Sequence, residues 1–236
     1  MSLYGLPVIY AIKPHETSTT ALHPLGTLGF DGTGGKYRYV EAGAVALVVG
    51  NLIQSKAENT SDQGLAFAAA AIGATSVTTT TTVTVDANEY ANGYLVVTIT
   101  PDLGRVYRIK SHPAASAATL VVTLYDPIVT AWTTDTRADL VANPYADVIQ
   151  NPTTATSNPV GVACAAIPID NFGWIQTGGI AGVLSEGVTA VGQAVIASTG
   201  VAGAVIDSAS TTRPIIGYDA AGIASGENGA IWLTLD

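Results

Sequence analysis

Histidine is the side chain most often used as a general base, and this chain holds three, His15, His23 and His112. Each stands beside a proline, in Pro14-His15, His23-Pro24 and His112-Pro113. That context predicts turns, with no nucleophile at a fixed offset. No G-x-S-x-G elbow, P-loop, G-x-G-x-x-G or H-E-x-x-H is present. Gly32-Thr-Gly-Gly has the look of a phosphate loop, but Lys36-Tyr37 follows where Lys-Ser/Thr is needed. No strand–loop–helix frame surrounds it. Three carboxylate pairs lie close in sequence: Glu58 with Asp62, Asp86 with Glu89, and Asp135 with Asp139 around Arg137. Glycoside chemistry needs two carboxylates facing each other across a cleft. These pairs read instead as turn residues and solvated charge, so an enzyme would need converging carboxylates from distant positions. No His, Cys, Asp or Glu cluster has metal-ligand spacing. The lone Cys164 makes neither an intramolecular disulfide nor a zinc cluster. Its apolar setting, Val160 to Ile167, predicts a small buried hydrophobe. The expectation is a protein that is not an enzyme, with no catalytic residue, cofactor or metal.

The elements that carry these residues read as β throughout. Lys36 to Val40, Ala44 to Val49 and Leu52 to Gln54 form a strand–turn–strand pattern around Gly50-Asn51. Val77 to Val85 is nearly all β-branched, stiff at χ1 and poor at helix. Tyr94 to Thr100, Arg105 to Lys110 and Ala118 to Tyr125 follow with short connections, which predicts an antiparallel meander. Pro101-Asp-Leu-Gly is a tight turn. Ser61 to Gly73 is the single helix candidate, with Ser61 as its cap. From Pro159 onward, short strands alternate with glycine-containing turns at the spacing of a small barrel or sandwich. Tyr90, Tyr94, Tyr107 and Tyr125 are expected as cross-strand core pairs. Trp174 and Trp232 are expected to pack the C-terminal barrel. The fold class is therefore all-β: an antiparallel β-sandwich or barrel body with an extended N-terminal arm and a small C-terminal β-barrel. The expected domains are an arm over 1–35, a body over 36–158 with an inserted meander at about 75–130, and a barrel over 159–236.

Composition narrows the function. Only 11% of the 236 residues are charged, against about 25% in ordinary globular domains. Ala, Thr and Gly contribute 37, 30 and 25 residues. The net charge of −9 repels phosphate and argues against nucleic acid. The longest run of glycine, alanine and larger apolar residues alone, Gly64 to Ala74, is 11 residues, too short for the ~20 of a membrane span. The N-terminal residues have no secretory-signal pattern, so cytoplasmic synthesis is expected. Eight of the nine basic residues precede residue 138, and the last 99 residues carry a net charge of −7. A surface poor in charge is cheap to desolvate, because its burial strands few ions and orders few long side chains. That suits a permanent interface. Leu3, Tyr4, Leu6, Val8, Ile9, Tyr10 and Ile12 place seven large apolar groups ahead of a Pro/Gly-rich segment over 13–35. They read as an arm that docks on another chain.

Ala91-Asn-Gly-Tyr-Leu-Val-Val, Gly104-Arg-Val-Tyr-Arg-Ile-Lys-Ser-His-Pro-Ala and Leu124-Tyr-Asp-Pro-Ile resemble a family of tailed-bacteriophage virion proteins. Ala142-Asn-Pro-Tyr, Phe172-Gly-Trp-Ile-Gln-Thr-Gly-Gly, Gly217-Tyr-Asp-Ala-Ala-Gly and the closing Ile231-Trp-Leu-Thr-Leu extend the resemblance in consistent order from about residue 36 to the end. The family is that of capsid decoration, or cement, proteins. The resemblance implies a non-enzymatic protein on the outer surface of the virion capsid, clamping capsomers of an HK97-type major capsid protein. It implies a homo-oligomer, dimer or trimer, and brings no catalytic residue; no nucleic-acid or membrane partner is expected from the charge and the short apolar runs. The alternative is a receptor- or glycan-binding virion appendage, which would display exposed aromatics in the middle region. Deleting residues 2–30 is expected to lower capsid occupancy and particle resistance to heat or osmotic shock. Unchanged values in particle-stability assays would remove the arm from the interface.

Overall fold

The structure, a computed structural model, describes residues 7–208 and 213–236. It is all-β and predominantly antiparallel. The first strands are β1 (Val8–Tyr10), β2 (Leu28–Phe30), β3 (Lys36–Glu41), β4 (Leu52–Gln54), β5 (Leu65–Ala66) and β6 (Ser76–Thr80). Next come β7 (Thr84–Val85), β8 (Tyr94–Val97), β9 (Val106–Ser111), β10 (Ala115–Ser116), β11 (Thr119–Leu124) and β12 (Arg137–Val141). The last are β13 (Ile149–Gln150), β14 (Pro159–Ala163), β15 (Phe172–Leu184), β16 (Ala194–Ala197), β17 (Val205–Asp207), β18 (Ile215–Asp219) and β19 (Asn228–Thr234). Two compact units result. Glu58–Asn143 forms one, inserted into a second built from the chain up to Ala57 and from Pro144 onward. The expected boundaries at 35/36 and 158/159 do not coincide with the edges of these units. The reason is pairing: β3 lies along β15, and β4 lies along β14, so early and late segments share one sheet.

The inserted unit is a six-stranded antiparallel sheet in the order β5-β12-β8-β9-β11-β6. Its two edges meet through the Phe67–Thr79 bridge and the Thr79 hydroxyl, which donates to the Ala66 carbonyl at 2.7 Å. Period-2 alternation sets its interior. Leu120, Val122 and Leu124 of β11 and Tyr107 and Ile109 of β9 point inward, joined by Leu95, Val97, Leu140 and Phe67. Phe67 meets Trp132 edge-on at 5.4 Å. The turn after β8 places Asp102 at φ 75°, and its Oδ2 accepts from the Tyr107 hydroxyl at 2.5 Å and Trp132 Nε1 at 3.1 Å.

The expected helix at 61–73 does not form. A single 3₁₀ turn covers Thr60–Asp62, and Asn59 rather than Ser61 caps it, accepting from the Ser61 N–H. Gly64 sits at φ 63° and breaks the path. Beyond it the amides of Phe67, Ala68, Ala70 and Gly73 donate to the distant carbonyls of Thr136, Thr78, Trp132 and Ile128. Alanine propensity is overridden because those carbonyls would otherwise lie unpaired.

The outer unit closes a second barrel. β15 pairs with β19, β19 with β18, β18 with β16 and β16 with β17. The Leu52 N–H then reaches the Gly203 carbonyl at 2.7 Å, and β4 leads back through β14 to β15. Leu52, Val162, Val183, Val195, Ile216, Ile231 and Leu233 fill the interior. The described part of the arm is not free. β1 runs parallel to β2, and β2 pairs with β3. Ile9, Ile12 and Leu25 pack on Tyr37, Tyr39 and Trp174.

Burial alone would raise the Asp102 pKa, but hydrogen bonds from Tyr107 and Trp132 and the nearby Arg105 hold the carboxyl below its ordinary value. A carboxylate depressed in the folded state stabilises fully above its unfolded pKa of about 3.9, and that stability is lost as pH falls through the folded value. Asp102→Asn keeps a residue type that tolerates φ > 0. It should cost about 1.5–3 kcal/mol at pH 7 in denaturant melts. The gap to the parent protein should narrow below pH 4.

Candidate binding surfaces

Trp232 was expected in the barrel core, and the structure overturns this. Along β19, Ile231 and Leu233 are buried while Trp232 between them is 56% exposed. The strand can send only one parity inward, and the two aliphatic residues hold it. Trp232 stands directly between Ile180 of β15 and Tyr218 of β18, themselves 50% and 44% exposed. Trp174 is buried, but against Tyr39 in the aromatic cluster under β1 and β2 rather than in the barrel interior where it was expected.

Beside Trp232 opens a cleft of about 560 Å³. Gly34, Gly35, Gly178 and Gly179 line it, together with Asp31, Lys36 and Asp236. Gly34 and Gly179 adopt φ 94° and 85°, a region where a side chain is strained. Both carboxylates are fixed. Asp31 accepts from the Thr33 and Gly35 amides, the Thr33 hydroxyl and the Tyr37 hydroxyl, all within 2.8–2.9 Å. Asp236 receives Arg38 in two-pronged fashion, Nε at 2.6 Å and a terminal nitrogen at 3.0 Å, with the Thr177 hydroxyl at 3.2 Å. Burial acts to raise both pKa values. It is outweighed by the hydrogen bonds from Thr33, Tyr37 and Gly35 at Asp31 and by Arg38 at Asp236, so both carboxyls lie below their ordinary range.

A second exposed surface is the segment after β3. Ala44 to Val49 was expected as a strand, but it is a loop touching the sheet only at Leu47, whose N–H donates to the Ile167 carbonyl at 2.9 Å. Val45, Val48 and Val49 are 55%, 55% and 51% exposed. The loop is nevertheless pinned at both ends: the Gly43 amide donates to the Val148 carbonyl and the Gly50 amide to the Ala163 carbonyl, each at 2.9 Å.

The arm residues divide. Val8 and Tyr10 are exposed, with Tyr10 stacked on Phe30 at 5.6 Å, while Ile9 and Ile12 turn toward the aromatic cluster. Leu3, Tyr4 and Leu6 lie outside the described residues. The histidines are not brought together. His15 Nδ1 lies 3.0 Å from the Cys164 carbonyl, and His23 packs on Tyr39. His112 is buried and accepts from the Tyr90 amide at 2.9 Å. The neighbouring carboxylates serve local structure: Glu89 accepts from the Asp86 amide, Asp139 from the Gly64 amide, and Asp62 from Tyr90 and Asn59. Among the described residues, no three His, Cys, Asp or Glu side chains are placed to hold a metal ion. Comparison with protein-family models, curated proteins and solved structures returned no match.

The exposed Trp232 had a signal in the sequence, since Ile231 and Leu233 cannot both face inward with it. The cleft had none, because its walls come from positions about 200 residues apart, Asp31 and Asp236. Burial pushes the Cys164 thiol up to about 12, against a small lowering by Gln176. The thiol is therefore protonated and poorly nucleophilic at neutral pH. Native protein at pH 8 should leave Cys164 unmodified by a thiol-reactive disulfide reagent over hours, and denaturant should release one equivalent at once.

Proposed function

We propose that this chain is a non-enzymatic structural protein of a tailed-phage virion, binding the outer face of an HK97-type shell as a homo-oligomer and tying neighbouring capsomers together. The observation that carries the reading is the Ala44–Val49 loop. Three valines there are at least half exposed on backbone fixed at both ends. Apolar groups presented on a rigid loop have an unpaid solvation cost that a partner surface removes. The low overall charge acts in the same direction, because few ions need be stripped of water when such a surface is covered. The ordered resemblance along residues 36–236 supports the choice of partner. The receptor-binding alternative gains less support. Of the four tyrosines expected in the core, Tyr90 and Tyr107 are buried in the inserted barrel and Tyr125 is engaged by Arg108, while Tyr94 is 39% exposed because the opposite parity of β8, Leu95 and Val97, faces inward.

The test pairs location with a substitution. Antibody-labelled micrographs of virions should show many copies over the head, and label confined to the tail would overturn the reading. Val45→Asp with Val48→Asp should leave the melting midpoint nearly unchanged, because both side chains are exposed. Covering each valine contributes about 1.5 kcal/mol. The double variant should therefore bind expanded shells roughly a hundredfold more weakly in sedimentation assays.

A further inference from the structure

We infer that the cleft beside Trp232 is a binding site for a neutral saccharide, a function separate from attachment to a shell. The site lies in one compact unit, between the 31–36 turn, the Gln176–Ile180 stretch of β15 and the end of β19. Sugar rings present an apolar C–H face and a perimeter of hydroxyls. Recognition therefore needs a flat apolar platform with donors and acceptors held at fixed positions around it. Trp232 supplies the platform, more than half exposed, with Ile180 beside it on the next strand. Asp236 supplies an acceptor. Three donors, two from Arg38 and one from Thr177, immobilise it. A carboxylate has about four acceptor sites, so Asp236 keeps one for a ligand hydroxyl, while the four donors on Asp31 fill its sites and fix the wall of the cleft. Lys36 supplies a cation in the same cleft. At Gly34 nothing lies within 4 Å of where a side chain would stand, so a ring can approach the main chain there.

Charge and hydrogen bonding choose among ligands. Arg38 pairs with Asp236 and Lys36 stands beside them, so two cations balance the two carboxylates and the cleft has no excess charge to hold a sulfated or sialylated sugar or a nucleotide. An apolar small molecule would cover the Lys36 ammonium and the remaining acceptor site of Asp236 without replacing their water. Hydroxyls replace that water directly. A neutral oligosaccharide meets the indole, that acceptor and that donor together.

The chain provides its own reporter. Trp132 and Trp174 are 2% and 5% exposed, so Trp232 is the tryptophan whose fluorescence responds to a ligand at the surface. Full-length protein should be titrated with chitotetraose, cellotetraose, maltotetraose and mannotetraose, with dextran sulfate as the anionic probe. At least one neutral tetrasaccharide should produce a saturable fluorescence change, and dextran sulfate none. By calorimetry, Trp232→Ala should weaken that binding about tenfold or more, the loss of one ring-stacking contact, while Trp232→Phe retains most of it. Absence of a saturable response to all four neutral sugars overturns the proposal, as does equal affinity in Trp232→Ala or a response to dextran sulfate alone. If Trp232→Ala instead alters the mass of the free oligomer or retention on shells, with no sugar response in the parent protein, Trp232 belongs to a protein interface. That result overturns the saccharide site and leaves the structural role standing.

Discussion

Strand β15 runs for 13 residues, and three neighbours take their register from it. Its first half bonds β3 on one side and β14 on the other, and its second half bonds β19. Such sharing requires the strand to change partners midway. The change falls at Gln176–Gly179, where the register to β3 shifts and Gly179 takes up φ 85°. Gln176 secures the kink by donating from Nε2 to the carbonyls of Gly178 and Ile180. The barrel interior, the aromatic cluster under β1 and β2, and one wall of the cleft, Gln176 to Ile180, all descend from that one strand. A residue with a side chain at Gly179 would strain the point where these structures join.

How much of this could be read from residues alone depended on the range of the interactions. Alternation is local, so the strands at Tyr94, Val106, Thr119 and Asn228 were legible in position and type. The single helix expectation failed because its evidence was alanine propensity, a weak force beside the carbonyls of Thr136 and Trp132 that needed donors. The Ala44–Val49 run failed as a strand for a related reason. Its hydrophobicity was read as burial, yet only Leu47 finds a bridge partner. Unit boundaries were hidden for a topological reason, since no local feature of β3 or β4 announces pairing with strands over a hundred residues later.

Charge placement gains meaning from the fold. Of the acids in the C-terminal part, Asp219 is buried and caps the turn that follows it through the Ala221 and Gly222 amides. Asp236 closes on Arg38, joining the two ends of the outer unit's chain. These carboxylates act within the fold. Asp170 and Glu227, by contrast, are exposed to solvent.

The pairing of Gln54 with Ile149 has a further meaning. The strand leaving for the inserted unit and the strand returning from it are neighbours in one sheet, so the outer barrel experiences the intervening residues as an overgrown hairpin loop. Closing a longer loop costs only logarithmically more entropy, and here the loop carries its own core to offset it. Modularity follows from that geometry. A change in the size or surface of the inserted unit leaves the pairing of Gln54 with Ile149 in place, so the outer barrel keeps its register whatever the loop carries.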